Sequence, residues 1–133
     1  MPSITRHPRR AITALAVLLC LGAAGCGRTE AEMPRFARVE GGDARRGQML
    51  LARYQCGSCH VIPEVPSAAG RSAPTLAGFG QRSYIAGQVP NLPHNLVRWL
   101  QDPQALVPGT RMPDMGASEA DARDMAAYLL TLR

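Results

Sequence analysis

Two cysteines and a histidine fall within five residues at Cys56-Gly57-Ser58-Cys59-His60, and this cluster constrains the chain more than any other feature. A C-x-x-C-H spacing suits a redox dithiol, half of a metal site, or a covalent haem attachment site, and each reading requires different company elsewhere. The start of the chain supplies some of that company. Arg6, Arg9 and Arg10 form a basic n-region, Ala11 to Leu21 an uncharged apolar stretch, and Gly22-Ala23-Ala24-Gly25 a small-residue end. That is the anatomy of an export signal over residues 1–25. The uncharged run extends to Gly27, the short limit of a bilayer-spanning helix, so an uncleaved membrane anchor is the alternative reading.

The chain's four cysteines separate by position: Cys20 in the signal's apolar core, Cys26 at its end, and Cys56 with Cys59. After export only one pair is left in the domain. No further thiols exist there to complete a Cys₄ or Cys₃His zinc site or a disulfide framework. A disulfide oxidoreductase would hold C-x-x-C beside βαβ strands, and residues 43–133 lack the alternating Val, Ile, Thr and aromatic runs that strands need. The signals present are helical. Gly41-Gly42-Asp43 offers a turn and an N-cap before a helix over 44–54, with Met49, Leu50 and Leu51 as its apolar content. Leu92, Leu96, Trp99 and Leu100 predict a helix over 91–102, ended by Pro103. Ser118-Glu119-Ala120-Asp121 opens a third, with Ala122, Met125, Ala126 and Leu129 on one face. The expected class is all-α.

Between these helices run long loops, above all Val61 to Tyr84 with its repeated Pro and Gly. Irregular loops of that length in a compact domain demand a reason. A domain of about 90 residues with three helices also struggles to bury enough apolar surface to offset its ordering entropy. A large apolar disc held by the chain answers both problems. If residues 56–60 form a helical turn, Cys56, Cys59 and His60 sit at i, i+3 and i+4 on one face. Two thiols there can bond two vinyl groups as thioethers while the imidazole reaches iron, which is c-type haem attachment.

Residues 43–133 resemble a small class I cytochrome c. Four segments carry the resemblance: GDARRGQMLLARYQCGSCH, where a helix runs into the attachment site; Ala73-Pro74-Thr75-Leu76; Pro108-Gly109-Thr110-Arg111-Met112-Pro113; and Ala126-Ala127-Tyr128-Leu129. The resemblance implies three main helices and long loops wrapped around one covalently bound haem c. It implies that the Pro74 carbonyl accepts the second N–H of His60, although Ala73 departs from the family's Gly. Among six methionines, Met1 is the initiator, Met33 lies before the domain, and Met49 and Met125 fall on apolar helix faces as core fillers. Met112 and Met115 stay open on residue grounds. The family pattern sets the ligand directly before the proline, implying His60 and Met112 as axial ligands with Met115 the runner-up. His94, early in the second helix, reads as a surface residue. The resemblance also implies an indole hydrogen bond from Trp99 to a haem propionate and a helix contact between Gly47 and Tyr128.

Ala23-Ala24-Gly25-Cys26 resembles a bacterial lipobox, implying acylation of Cys26, although Ala23 stands where the pattern prefers Leu. Residues 26–42 then form a lipid-bearing cysteine and flexible tether, and the domain lies at the membrane in the bacterial periplasm. His/Met ligation raises the reduction potential relative to His/His and fills both axial positions. The implied function is electron transfer between respiratory-chain or other redox partners, and no small-molecule substrate and no enzymatic activity are expected. The alternatives are a haem enzyme or gas sensor with a displaceable methionine, or a fixed subunit of an oxidase or reductase complex. Once the signal's three arginines are removed, 12 arginines face ten acidic residues, and no lysine is present. A near-neutral holoprotein without a basic, aromatic-laced stripe excludes nucleic acid as a partner class.

Overall fold

The computed structural model describes residues 38–133. The expected signal, Cys20, Cys26, Met33 and most of the tether lie outside the described residues. Four helices, two short 3₁₀ turns and one small hairpin make up the domain.

Helix α1, Ala44–Arg53, begins at Asp43, whose carboxylate accepts from the amides of Arg45 and Arg46 at 2.9 and 3.1 Å. This satisfies N-terminal donors that the helix itself cannot. Gly47, Leu50 and Leu51 form its buried face. Met49 is 66% exposed, which corrects its reading as a core filler. The cause is angular, since at 100° per residue Met49 lies opposite the arc that Gly47, Leu50 and Leu51 share.

A 3₁₀ turn, Cys56–Ser58, follows α1, and a second, Phe79–Gln81, lies beyond the long loop. Strands β1, Tyr84–Ile85, and β2, Val89–Pro90, then pair antiparallel. This hairpin adds to the expected all-α plan. Two-residue strands are too short to display alternation, so the sequence carries no period to read. Helix α2 spans Pro93–Gln101 rather than starting at Asn91, because Pro93 takes the first helical position. The Asn91 side chain instead donates to the carbonyls of Phe79 and Arg82 at 3.1 and 3.0 Å and ties down the preceding loop. Pro103 ends α2 and also opens the short α3, Pro103–Leu106, capped by Asp102.

Helix α4, Glu119–Leu129, starts at Ser118, whose hydroxyl accepts from the Asp121 amide at 3.1 Å. It packs against both α1 and α2. A Cβ on Gly47 would lie 1.9 Å from the Asp124 carbonyl oxygen, so only glycine allows the two helices to approach this closely. Gly47 thus meets the Asp124–Met125 backbone, while Tyr128, also buried, donates to the Pro63 carbonyl at 2.7 Å and joins α4 to the long loop. Val39 is also buried in the core, so packing against the domain begins before residue 43.

The α1/α4 crossing holds a buried charge that the apolar periodicity concealed. Asp124 is 1% exposed, accepts from the Asp43 amide at 2.8 Å and from Arg46 Nη2 at 2.9 Å, and also pairs with Arg46 Nε. Burial alone would push this carboxyl up, but the Arg46 and Asp43 donors together hold it below its ordinary value. A depressed folded-state value stabilises the fold above the unfolded carboxylate range, about pH 4, and is lost as pH falls through the lower folded value. Asp124→Ala is therefore expected to cost about 1–3 kcal/mol at neutral pH, mainly because the Asp43 amide loses its acceptor at the helix crossing, while the exposed Arg46 regains water. Urea midpoints of the holoprotein at pH 7 and pH 3 check it, and an equal gap at both pH values would show that the charge is not responsible.

Candidate cofactor site

The chain reverses sharply after α1. Gln55 adopts φ 55° and delivers the backbone into the turn Cys56–Ser58. The amides of Cys59 and His60 both bond back to the Cys56 carbonyl, at 3.3 and 3.0 Å, so the C-x-x-C-H segment is one tight turn. Its first spacer must be small: a Cβ on Gly57 would lie 2.5 Å from the Cα of Ala68 in the returning loop. That loop is stitched to the turn, with Gly70 bonding to Gly57, Ala73 to Cys59 and Leu76 to Val61 through backbone bonds of 2.8–3.1 Å.

The stitching brings Pro74 beneath the histidine. His60 Nδ1–H donates to the Pro74 carbonyl at 2.6 Å, which leaves Nε2 with its lone pair available. Metal-ligating histidines are typically oriented this way through the second ring nitrogen.

His60 opens onto a cavity of about 600 Å³. Cys56, Cys59, Pro74, Trp99 and Met112 line the same space, and so do the apolar side chains of Leu51, Phe79, Ile85, Leu96, Leu100 and Leu129. Met115 is 38% exposed and lines no part of it. His94 faces a separate groove beside Arg98 and Arg123. Trp99 is buried, and its indole N–H meets no acceptor among the described residues.

The two thiols are free and differ electrostatically. Burial pushes the Cys56 thiol up, whereas hydrogen bonding from Ser72, then from Ser58, holds the exposed Cys59 thiol down. Among the described residues no three His, Cys, Asp or Glu side chains converge as a bare metal site requires. The set present is two thiols, one oriented imidazole and one thioether around an apolar space, which fits an apolar macrocycle carrying its own metal.

The distal segment is braced by a residue that the sequence reading passed over. Gln104 accepts from the Gly109 amide at 2.9 Å and donates to the Thr110 carbonyl at 2.5 Å, fixing the turn that leads to Met112. Arg82 and Arg111 also line the cavity and were likewise missed, because isolated arginines in loops carry no periodic signal.

Comparison with known proteins gives this arrangement a lineage. A family profile for cytochrome c matches residues 44–133. The chain belongs to the cytochrome c family. It is 38% identical to cytochrome c oxidase subunit 2 of Alkalihalophilus pseudofirmus, over 68% of this chain and 26% of that protein. It is 35% identical to the cytochrome c-type cyt cy of Rhodobacter capsulatus, over 68% of this chain and 50% of the relative. Cytochrome c2 of Rhodopseudomonas palustris is 30% identical, over 68% of this chain and 99% of its own length. The chain thus spans only about a quarter of the oxidase subunits that it matches. The mainly helical fold is that of a small class I c-type cytochrome, and membership implies one covalently bound haem c with its iron.

Proposed function

We propose that this protein carries single electrons between redox proteins, with Cys56 and Cys59 holding the haem as thioethers and His60 and Met112 ligating its iron. The bound haem supplies a one-electron couple at iron. The chain's own residues do the remaining work. Pro74 fixes the tautomer and direction of His60, Leu51, Ile85, Leu96 and Leu129 exclude water, and the Gln104 brace limits how far Met112 moves. With His60 and Met112 both holding the iron, no position would be left for a substrate, and the group would supply electron transfer alone. Trp99, whose indole N–H has no partner among the described residues, donates to a haem propionate in this reading.

The observation that carries the proposal is the convergence of an oriented imidazole and a thioether on one apolar cavity beside two free thiols. Redox titration of the purified holoprotein tests it, with exposure of the ferrous form to carbon monoxide as the second arm. The expected result is a reversible one-electron couple and negligible carbon monoxide binding at neutral pH. Rapid binding would favour a haem enzyme or gas sensor instead.

The matches to oxidase subunit 2 favour a second reading, in which the domain serves as a fixed electron-entry module of a membrane oxidase. Co-purification of a stoichiometric oxidase in mild detergent separates it from a free carrier.

We further propose a bacterial periplasmic location, with Cys26 acylated and the 12 residues between it and the buried Val39 serving as a leash of about 19 Å typical span. Such a leash raises the local concentration of the haem at membrane partners without any docking contact. Mass spectrometry of the native N-terminus checks it, since an unmodified end or an intact residue 1 would remove the lipid anchor.

A further inference from the structure

We propose that Gln104 is a positioning residue for the distal ligand, holding Met112 at the iron and setting how often the sixth coordination position opens; the inference deepens the reading of Met112 as that ligand and rests on it. The distal segment, residues 111–117, is weakly tied to the rest of the fold. Among the described residues no backbone hydrogen bond joins it to any other segment. Its polar bonds are local, from the Met112 amide to the Thr110 hydroxyl at 3.4 Å and from the Gly116 amide to the Asp114 carboxylate at 2.7 Å. Pro113 has no N–H to offer. A segment with so few bonds opens at little cost unless its ends are held.

The far end is held by burial of Ala117 and by the Ser118 cap of α4. The near end is held by Gln104. Helix α3 is rooted by buried Pro103, and after it the chain turns, with the Thr110 amide on the Val107 carbonyl at 3.1 Å and Gly109 at φ 82°. Gln104 reaches from α3 across this turn. Its Oε1 accepts from the Gly109 amide at 2.9 Å and its Nε2 donates to the Thr110 carbonyl at 2.5 Å. Thr110 in turn accepts from the Met112 amide through its hydroxyl, so a polar relay runs from α3 through Thr110 to the backbone of Met112.

The chemistry of the brace requires a primary amide, which presents a donor and an acceptor together. Glutamate would satisfy the Gly109 amide alone and set a carboxylate oxygen against the Thr110 carbonyl. Alanine would satisfy neither, yet it is the better helix former, so Gln104→Ala releases the distal turn without weakening α3 itself. The apparent affinity of an external ligand for the iron scales with the fraction of molecules in which the sixth position is open. Loss of a two-bond bridge at the surface corresponds to about tenfold in that fraction.

The test is titration of the ferric holoprotein with imidazole, followed by loss of the near-infrared sulfur-to-iron band, for wild type, Gln104→Ala, Gln104→Glu and Asp43→Ala. Asp43→Ala is the control for stability alone, because it removes the cap of α1, at the opposite end of the domain's sequence from the brace. Gln104→Ala is expected to bind imidazole about tenfold more tightly than wild type, with Gln104→Glu between the two. Asp43→Ala should lower the urea midpoint of the helical signal and leave the imidazole affinity at the wild-type value. In Gln104→Ala the near-infrared band should vanish at lower urea than in wild type while the helical midpoint moves little. If Gln104→Ala does not mature, tighter imidazole binding by Gln104→Glu supports the proposal and unchanged binding overturns it. The proposal also fails if Gln104→Ala binds imidazole as wild type does, or if Asp43→Ala tightens binding equally. A wild-type holoprotein that lacks the band overturns the Met112 reading and the role of Gln104 with it, whereas a band that is present and insensitive to Gln104 overturns the brace alone.

Discussion

Replacing Cys56 and Cys59 together by alanine is expected to leave almost no stable protein after export. The cavity behind these thiols measures about 600 Å³, and buried Leu51, Ile85 and Leu96 form part of its wall. Residual cavities cost about 24 cal/mol per Å³, so an empty space of this size corresponds to on the order of 14 kcal/mol as an upper bound. That matches the entire stability of a typical small domain, about 5–15 kcal/mol. Collapse or flooding would lower the cost only by giving up the packing of α2 against α4. Either single variant retains one thiol, so holoprotein is expected at reduced yield with one thioether. Haem-stained gels, intact mass and urea unfolding of each exported variant provide the measurements. A cooperatively folded double variant without haem would show that the helices suffice and that the cofactor is not part of the core.

The features legible in the sequence were those with local chemistry. The Cys56-to-His60 turn, the Asp43 and Ser118 caps and the Pro103 break each depend on residues within four positions of one another. Helical periodicity also identified Leu96, Trp99 and Leu100 as an inward face. What escaped depends on distant partners. Asp124 looks like a solvent-facing residue beside Arg123, and only the approach of α1 brings Arg46 and the Asp43 amide to it, 78 and 81 positions away. Gln104 and Arg82 brace loops whose paths no periodic rule specifies. Met49 shows the opposite failure: three adjacent apolar residues invited a common burial that a helix cannot provide. The candidate site was more readable than the fold around it, because reactive side chains are rare in this domain whereas apolar walls are assembled from every segment.

Met112→Ala is expected to change the electronic character of the haem, and Met115→Ala to leave it intact. Met112 is half-buried at the cavity, its amide bonds to the Thr110 hydroxyl at 3.4 Å, and Pro113 stiffens the backbone immediately after it. The Gln104 brace lies on its other side, so a thioether there is presented with little freedom to lose. Met115 stands beyond the proline on an exposed stretch, where replacement should alter stability by no more than about 0.5 kcal/mol. Removing a soft axial sulfur stabilises ferric iron, so the Met112 variant should lose the weak near-infrared sulfur-to-iron band of the ferric form. Its midpoint should fall by a substantial part of the about 0.8 V range over which axial ligands tune haem. Its ferrous form should also bind carbon monoxide readily, because the vacated position is now open. Ferric near-infrared spectra and redox titrations of both variants decide the assignment. Loss of the band in Met115→Ala, with Met112→Ala unchanged, would move the distal ligand three residues along the chain and make the braced Met112 a packing residue.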